Sequence, residues 1–291
     1  MLLPFTKMHG AGNDFVVFDG RLPGLPWRDP AAMERLAARR TGIGCEGVLL
    51  LFPSDTPDAA FRLVFLNPDG HEADLCGNGT RCAALYGLRH GFAAAPSFRI
   101  ATGAGLVEAA VLRDDPADGL VRLRLRPASA PEIRRAPLAD GSVAECVFVD
   151  SGVPHAIVEV PDADAVDVRA LGRELRFHAA FAPAGANIDF VQRLGPGRLR
   201  MRTYERGVED ESGACGTGAV AAAVANAWRH GETGPVDIHV TSGATLTVDP
   251  LPNGPLLTGP ACEVFRGEIP LPDTSISHFE EDILSPHTSS L

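Results

Sequence analysis

A chain of 291 residues with a net charge of −11 and a mean hydropathy near zero is long enough for one large domain or two ordinary ones. The acidic balance argues against non-specific nucleic-acid binding, and no run of about 18 apolar residues marks a membrane-spanning helix. Lys7, His9, Asn13 and Asp14 stand where a signal peptide needs an apolar core, so the expectation is a cytoplasmic protein acting on a small molecule. The six cysteines, at 45, 76, 82, 146, 215 and 262, are scattered, with no Cys-x-x-Cys pair and no His cluster at zinc spacing. That predicts neither a disulfide framework nor a metal site. For Cys45, Cys82, Cys146 and Cys262 the simplest reading is a small buried hydrophobe.

In chain order, short strand-like runs fall at 15–18, 48–52, 61–66, 98–101, 120–125, 143–149, 155–160, 188–192, 199–204, 236–240 and 245–248. Several alternate apolar with polar residues, as a half-buried strand does. Helices are few. Asp29 as N-cap, Pro30 in the first turn and Gly42 beyond the end predict a helix over 31–40. A second is expected near 165–177. Two alanine-rich segments supply the rest, each opened by a cysteine: Cys76-Gly77-Asn78-Gly79 and Cys215-Gly216-Thr217-Gly218. Each closes on a similar stop, Leu88-Arg89-His90-Gly91 and Trp228-Arg229-His230-Gly231. Ala83, Ala84 and Leu85, like 219–223, leave little polar face, so both helices are expected to be buried.

The repetition reaches beyond the helices. Asn13 and Val153 stand at matching distances before the two cysteines, each between a glycine and a strand, and Leu106 and Leu246 stand at matching distances after them. Asn67 and Arg206 each lie nine residues before their cysteine and are read as equivalent strand ends. The fold class predicted is α+β. Two pseudo-symmetric halves arise from a duplication, each a mostly antiparallel sheet wrapped around a central helix, with the site in the cleft between them. The halves are drawn as 1–119, joined by 259–274, and 120–258. The Ser- and acid-rich 275–291 reads as a mobile tail.

Glycines after a cysteine at a helix start expose backbone N–H groups, and with the positive helix end they form an anion site. The same field is expected to pull the thiol below its free value of about 8.5. One motif is weak evidence, but two in matching positions point to paired acid/base thiols, which inversion at a carbon requires, one on each face. Arg206 is suited to a carboxylate, and Glu205 to an ammonium group or to tuning a thiol. Asn13 and Asn187, in Gly-Asn type turns, offer both donor and acceptor, though turn chemistry alone favours Asn there. His155 is either a proton partner or a structural histidine. No phosphate loop or dinucleotide fingerprint occurs, and Lys7 is the single lysine, so a Schiff-base cofactor is not expected.

These motifs resemble the diaminopimelate epimerase family over residues 5–269. The likeness rests on Lys7 through Phe15, Asn67-Pro68-Asp69-Gly70, Cys76 through Cys82, Pro154-His155, Gly185 through Gln192, Tyr204-Glu205-Arg206-Gly207 and Cys215 through Gly218. The resemblance implies an isomerase of lysine and peptidoglycan precursor biosynthesis that works without a cofactor or metal and is commonly a homodimer. It implies Cys76 and Cys215 as the two bases and His155 and Glu205 as groups that tune them. Gly77, Asn78, Gly216 and Thr217 would hold the reacting carboxylate. Asn13, Asn67, Asn187, Glu205 and Arg206 would read the rest of the substrate. Val153 departs from the Asn found in many members, removing one distal contact. Three alternatives stand beside this reading: a racemase of another amino acid on the same scaffold, akin to proline racemase; a non-catalytic relative; and a redox or metal module built on the two cysteines.

Overall fold

The computed structural model describes residues 2–270; the tail expected at 275–291 lies outside the described residues. Among these residues seventeen strands dominate. The first eight are β1 (Leu2–Gly10), β2 (Asn13–Asp19), β3 (Gly47–Pro53), β4 (Phe61–Leu66), β5 (Glu72–Ala73), β6 (Ser97–Thr102), β7 (Gly105–Arg113) and β8 (Gly119–Arg124). Then follow β9 (Glu132–Pro137), β10 (Val143–Asp150), β11 (Pro154–Glu159), β12 (Asn187–Gly195), β13 (Arg198–Glu205) and β14 (Asp210–Ser212). The last three are β15 (Val236–His239), β16 (Thr245–Asp249) and β17 (Leu256–Pro270). Four α-helices interrupt them: α1 (Pro30–Ala37), α2 (Gly77–Arg89), α3 (Val168–Arg176) and α4 (Gly216–His230).

One pairing scheme occurs twice. β1 pairs antiparallel with β2, β2 parallel with β3, β3 antiparallel with β4, and β4 parallel with β6. β6, β7 and β8 continue antiparallel, and β17 joins β8 back to β1, closing a ring of strands. The second series repeats every orientation: β10–β11 antiparallel, β11–β12 parallel, β12–β13 antiparallel, β13–β15 parallel, then β16 and β17 antiparallel. Here β8 followed by β9 holds the place that β17 holds in the first series, because β8 pairs with β17 and β9 with β10. The β8–β17 ladder is therefore common to both.

The register matches residues one to one. Phe15 opposes Gly47 as His155 opposes Asn187. Leu49 opposes Phe65 as Asp189 opposes Thr203. Leu66 opposes Glu72 as Tyr204 opposes Glu211. This shifts one equivalence expected from spacing. The connection from Tyr204 to Glu211 is one residue longer than the matching one from Leu66 to Glu72, so Asn67 answers Glu205, not Arg206.

α2 and α4 thread the two series. Cys82, Ala83, Ala84 and Leu85 of α2 are fully buried, as are Ala219, Val220 and Ala221 of α4, and both helices pack into one apolar cluster. Fully burying a Leu or Val is worth about 1.5–3 kcal/mol each, whereas Ala matters here by letting strands approach the helix closely. α1 ends at Ala37, three residues before the expected end. Ile43 and Cys45 fold back to donate their N–H groups to Leu36 and Ala37 carbonyls, at 2.9 and 3.0 Å, and so satisfy the terminal acceptors in place of another turn. Alternation does not mark strands β1, β5, β7, β9, β14 and β17. β17 carries Gly259 and Pro260, which read locally as breakers.

Candidate active site

Cys76 and Cys215 are the N-cap residues of α2 and α4, both in extended backbone conformation. Glycines at 77, 79, 216 and 218 leave room at these starts. A Cβ on Gly79 would lie 3.0 Å from Leu49 Cδ2, and one on Gly218 only 2.6 Å from Asp189 Oδ1. The two helix starts adjoin. Leu257 Cδ2, on β17, lies 3.7 Å from where a Cβ on Gly77 would be and 3.1 Å from that on Gly216. Across the junction, Asn78 Nδ2 donates to the Ala214 carbonyl at 3.0 Å, and Ser242 Oγ donates to the Ala11 carbonyl at 2.6 Å.

The sequence predicts thiols lowered by the helix field, and the structure corrects this. Burial pushes the Cys76 thiol up, and it pushes Cys215 well above the ordinary thiol range. Cys215 is 6% exposed, while Cys76 keeps partial exposure. Opposing donors are present: the Asn78 and Gly79 N–H groups act on Cys76, and Thr217 Oγ1 and the Gly218 N–H act on Cys215. Magnitudes explain the outcome. A helix start favours an anion by about 0.3–1 kcal/mol, up to roughly 2, whereas burying a lone charge costs several kcal/mol. The negative charge of Glu205 raises both thiols further. Its own carboxyl is raised by burial.

His155 is fully buried on β11. Its Nδ1 lies 2.7 Å from Asp189 Oδ2, and its Nε2 lies 3.0 Å from Thr217 Oγ1, which is 3.4 Å from Cys215 Sγ. Thr203 Oγ1 donates to the other Asp189 oxygen at 2.7 Å. Asn187 Oδ1 accepts from the Arg206 N–H at 2.7 Å, pinning the backbone of the Glu205-Arg206 turn, and its Nδ2 donates to the Pro154 carbonyl. Arg206 reaches the Ala184 carbonyl with Nη1 and remains half-buried. Asn13 accepts from Asn78 and donates to Glu46. Asn67 begins the turn after β4, where its carbonyl accepts from Gly70 and its N–H donates to His71 O.

Sequence reasoning missed three groups. Asp189 and Thr203 back His155. Arg81, fully buried on α2, donates to Asn78 Oδ1 at 2.6 Å and to the Pro260 carbonyl at 3.3 Å. Burial holds its guanidinium down at about 10, and the Cys82 and Cys76 thiols oppose that shift. The signal was available: one charge inside an otherwise apolar strand (Ile188-Asp189-Phe190-Val191) and one opening an otherwise apolar helical run (Arg81-Cys82-Ala83-Ala84-Leu85). Among the described residues no cluster of His, Cys, Asp and Glu is arranged to hold a metal ion.

The family model described as diaminopimelate epimerase matches residues 5–125 and 147–261. The chain is 40% identical over 282 residues to a diaminopimelate epimerase of Gemmatimonas aurantiaca, covering 92% of this chain and 99% of that one. It is 37% identical over 280 residues to the Aquifex aeolicus diaminopimelate epimerase, covering 92% and 98%. Among solved structures it is similar in fold to a probable proline racemase from Agrobacterium radiobacter K84, with a TM-score of 0.72, 20% identity and 94% of each chain covered. A hydroxyproline epimerase from Agrobacterium vitis gives a TM-score of 0.71 at 19% identity, again over 94% of each chain.

Proposed function

The chain belongs to the diaminopimelate epimerase family, and we propose that it interconverts LL- and meso-2,6-diaminopimelate with Cys76 and Cys215 as the two bases and no cofactor. It is an isomerase, and its relatives place its chemistry in lysine biosynthesis. The observation that carries the mechanism is the meeting of two helix starts, each capped by a cysteine.

One sulfur, as thiolate, removes the α-proton; the other, as thiol, gives a proton to the opposite face. The pair thus needs one proton between two sites, and its titration is shared. The first-turn N–H groups at Gly77, Asn78, Gly216 and Thr217 have no intrahelical acceptor. They are suited to hold the α-carboxylate and to stabilise the negative charge that builds on it, as an oxyanion hole does. The carboxylate of Glu205, whose charge bears on both sulfurs, is suited to the substrate's ammonium group, whose positive charge then offsets the desolvation that raises the thiols. Asn13, Asn67, Asn187 and Arg206 are assigned to reading the distal amino acid end. His155 tunes Cys215.

The proposal extends to the organisation of the chain. The halves are 1–119 with 259–274, and 120–258, derived from one duplicated unit, with the substrate bound between them. The repeated pairing scheme supports this reading. We further propose a homodimer acting in the cytoplasm, on the strength of the family resemblance; sedimentation of the purified protein tests the dimer.

The direct test is proton NMR of the protein with LL-diaminopimelate in deuterated water, without added cofactor. Wild type exchanges the α-proton and forms the meso isomer. Cys76→Ala and Cys215→Ala each lower turnover by at least about a thousandfold, as for loss of a group acting only in the transition state. Undiminished epimerisation by either variant would overturn the two-base assignment.

A further inference from the structure

The two helix starts rest on opposite kinds of floor. Beneath α2, the matched positions are Phe15, Leu49 and Phe65, and Gly79 packs on the first two. Beneath α4, the same three positions are His155, Asp189 and Thr203, and Gly218 packs on the Asp189 carboxylate. His155 and Asp189 are fully buried, and their contacts form one unbroken file: Thr203 Oγ1 to Asp189 Oδ1 at 2.7 Å, Asp189 Oδ2 to His155 Nδ1 at 2.7 Å, His155 Nε2 to Thr217 Oγ1 at 3.0 Å, and Thr217 Oγ1 to Cys215 Sγ at 3.4 Å. Burying such a set is costly unless every member is satisfied. A structural role alone would be met by the apolar set that serves α2.

We propose that Thr217 is a proton wire between Cys215 and His155, held in line by Asp189, and that Cys76 has no counterpart to it. The proposal deepens the two-base reading and rests on it. A hydroxyl both donates and accepts, so the file has two self-consistent arrangements. In the first, His155 is neutral with its proton on Nδ1, facing Asp189; Thr217 O–H donates to Nε2 and accepts from the Cys215 S–H. In the second, the S–H bond breaks and its proton passes to Thr217 Oγ1, while the Thr217 proton passes to Nε2. The result is a Cys215 thiolate accepting from Thr217 and an imidazolium paired with Asp189. No atom or net charge is lost: one O–H bond at Thr217 replaces another, and the Cys215 S–H bond is exchanged for an Nε2–H bond. The wire gives the buried thiol a route to its ionised form without transferring net charge out of the protein.

Other groups that bear on these two sites are known. Glu205, at the end of β13, opposes ionisation of both sulfurs, and Asp189 opposes that of Cys215. Arg81 on α2 favours ionisation of Cys76. Asn187 Nδ2 lies 3.4 Å from His155 Nε2 and competes weakly for the same lone pair. None of these links Cys215 to His155; among the described residues, Thr217 does.

The experiment uses the full chain with Cys76→Ala, so that the partner thiol does not contribute. Alkylation of Cys215 by iodoacetamide is followed by peptide mass spectrometry across pH of about 5 to 10, a range that spans His and Cys titration. With the wire intact the rate shows two inflections, one for each proton lost by the Cys215–His155 pair. Adding Thr217→Val leaves one inflection, on the alkaline side, and slows alkylation at neutral pH by about tenfold, the factor that ~1.4 kcal/mol represents. Thr217→Ser, which keeps the hydroxyl, retains both inflections. Asp189→Asn loses the acid-side inflection, because the charge that balances imidazolium is gone. Two inflections in Thr217→Val, one in Thr217→Ser, or an unchanged profile in Asp189→Asn would each overturn the proposal. No substrate enters this assay, so failure of the epimerase reading would appear separately, in the turnover of the unmodified chain.

Discussion

Each sulfur sits between a helix start that favours its anion and a burial that opposes it, and burial prevails at both. For a thiol, a raised pKa means that the neutral form persists to higher pH, so thiolate is scarce near neutrality. The proposed two-base mechanism needs the pair to have lost one proton and kept one. We therefore expect kcat/KM to climb with pH from neutrality into the alkaline range, then to fall once the second proton leaves. Initial rates between pH of about 6 and 10 check this; a profile already falling above neutrality would contradict the direction of both shifts. At this scale much was legible. Paired Cys-Gly-x-Gly segments mark both helix caps, and Pro154-His155 marks the histidine. Asp189 and Arg81 escaped because a lone charge in an apolar run reads as solvated until the register brings it inside. The thiol shift was misread because sequence reveals the donors at a helix start but not how completely the surrounding chain excludes water.

Elements place these residues by bracing one another. The turn that follows β4 carries Asn67, and it is held by Gly70, whose φ is +79°. A Cβ there would lie 2.2 Å from the Pro30 carbonyl oxygen at the start of α1, so α1 presses directly on the Asn67 turn. Gly70→Ala combines a left-handed backbone, worth about 1–2 kcal/mol against an L-residue, with a backbone clash that must be relieved by moving the turn. The expected result is a loss of roughly 2–3 kcal/mol in stability, within the range for strained positions. KM should rise more than kcat falls, because Asn67 is assigned to the distal end of the substrate. Urea melts and steady-state kinetics measure the two effects; an unchanged KM would remove Asn67 from the binding set. The helices were the elements most readable in sequence, since caps are local: Asp29 accepts from the Ala32 N–H at 3.2 Å, and Asp167 from the Ala170 N–H at 3.0 Å. Strands without alternation were not readable, and the spacing argument that matched Asn67 to Arg206 failed by one residue, because a turn can lengthen without disturbing the ladders beside it.

For the molecule as a whole, β17 is the element on which both helices depend. It pairs with β16 and β8 over its first half and with β1 over the rest, so the same strand completes both series. Its prolines and glycines hide it in the sequence, and two of its three partners, β1 and β8, lie far away in the chain. Leu257, near the start of β17, is fully buried and touches the space before Gly77 and Gly216 alike. Leu257→Ala removes a side chain that supports two helix starts at once. A cost of about 2–5 kcal/mol is expected, according to how far the site collapses. If the two halves are coupled through this strand, a single unfolding transition is kept and only its midpoint falls. The alkylation rates of Cys76 and Cys215 in the native protein rise together, because both caps lose the same support. Chemical denaturation followed by two probes, with iodoacetamide labelling mapped to each cysteine, tests this. Faster labelling of one cysteine alone would mean that each helix start is held by its own half, and that β17 joins the halves without coupling them.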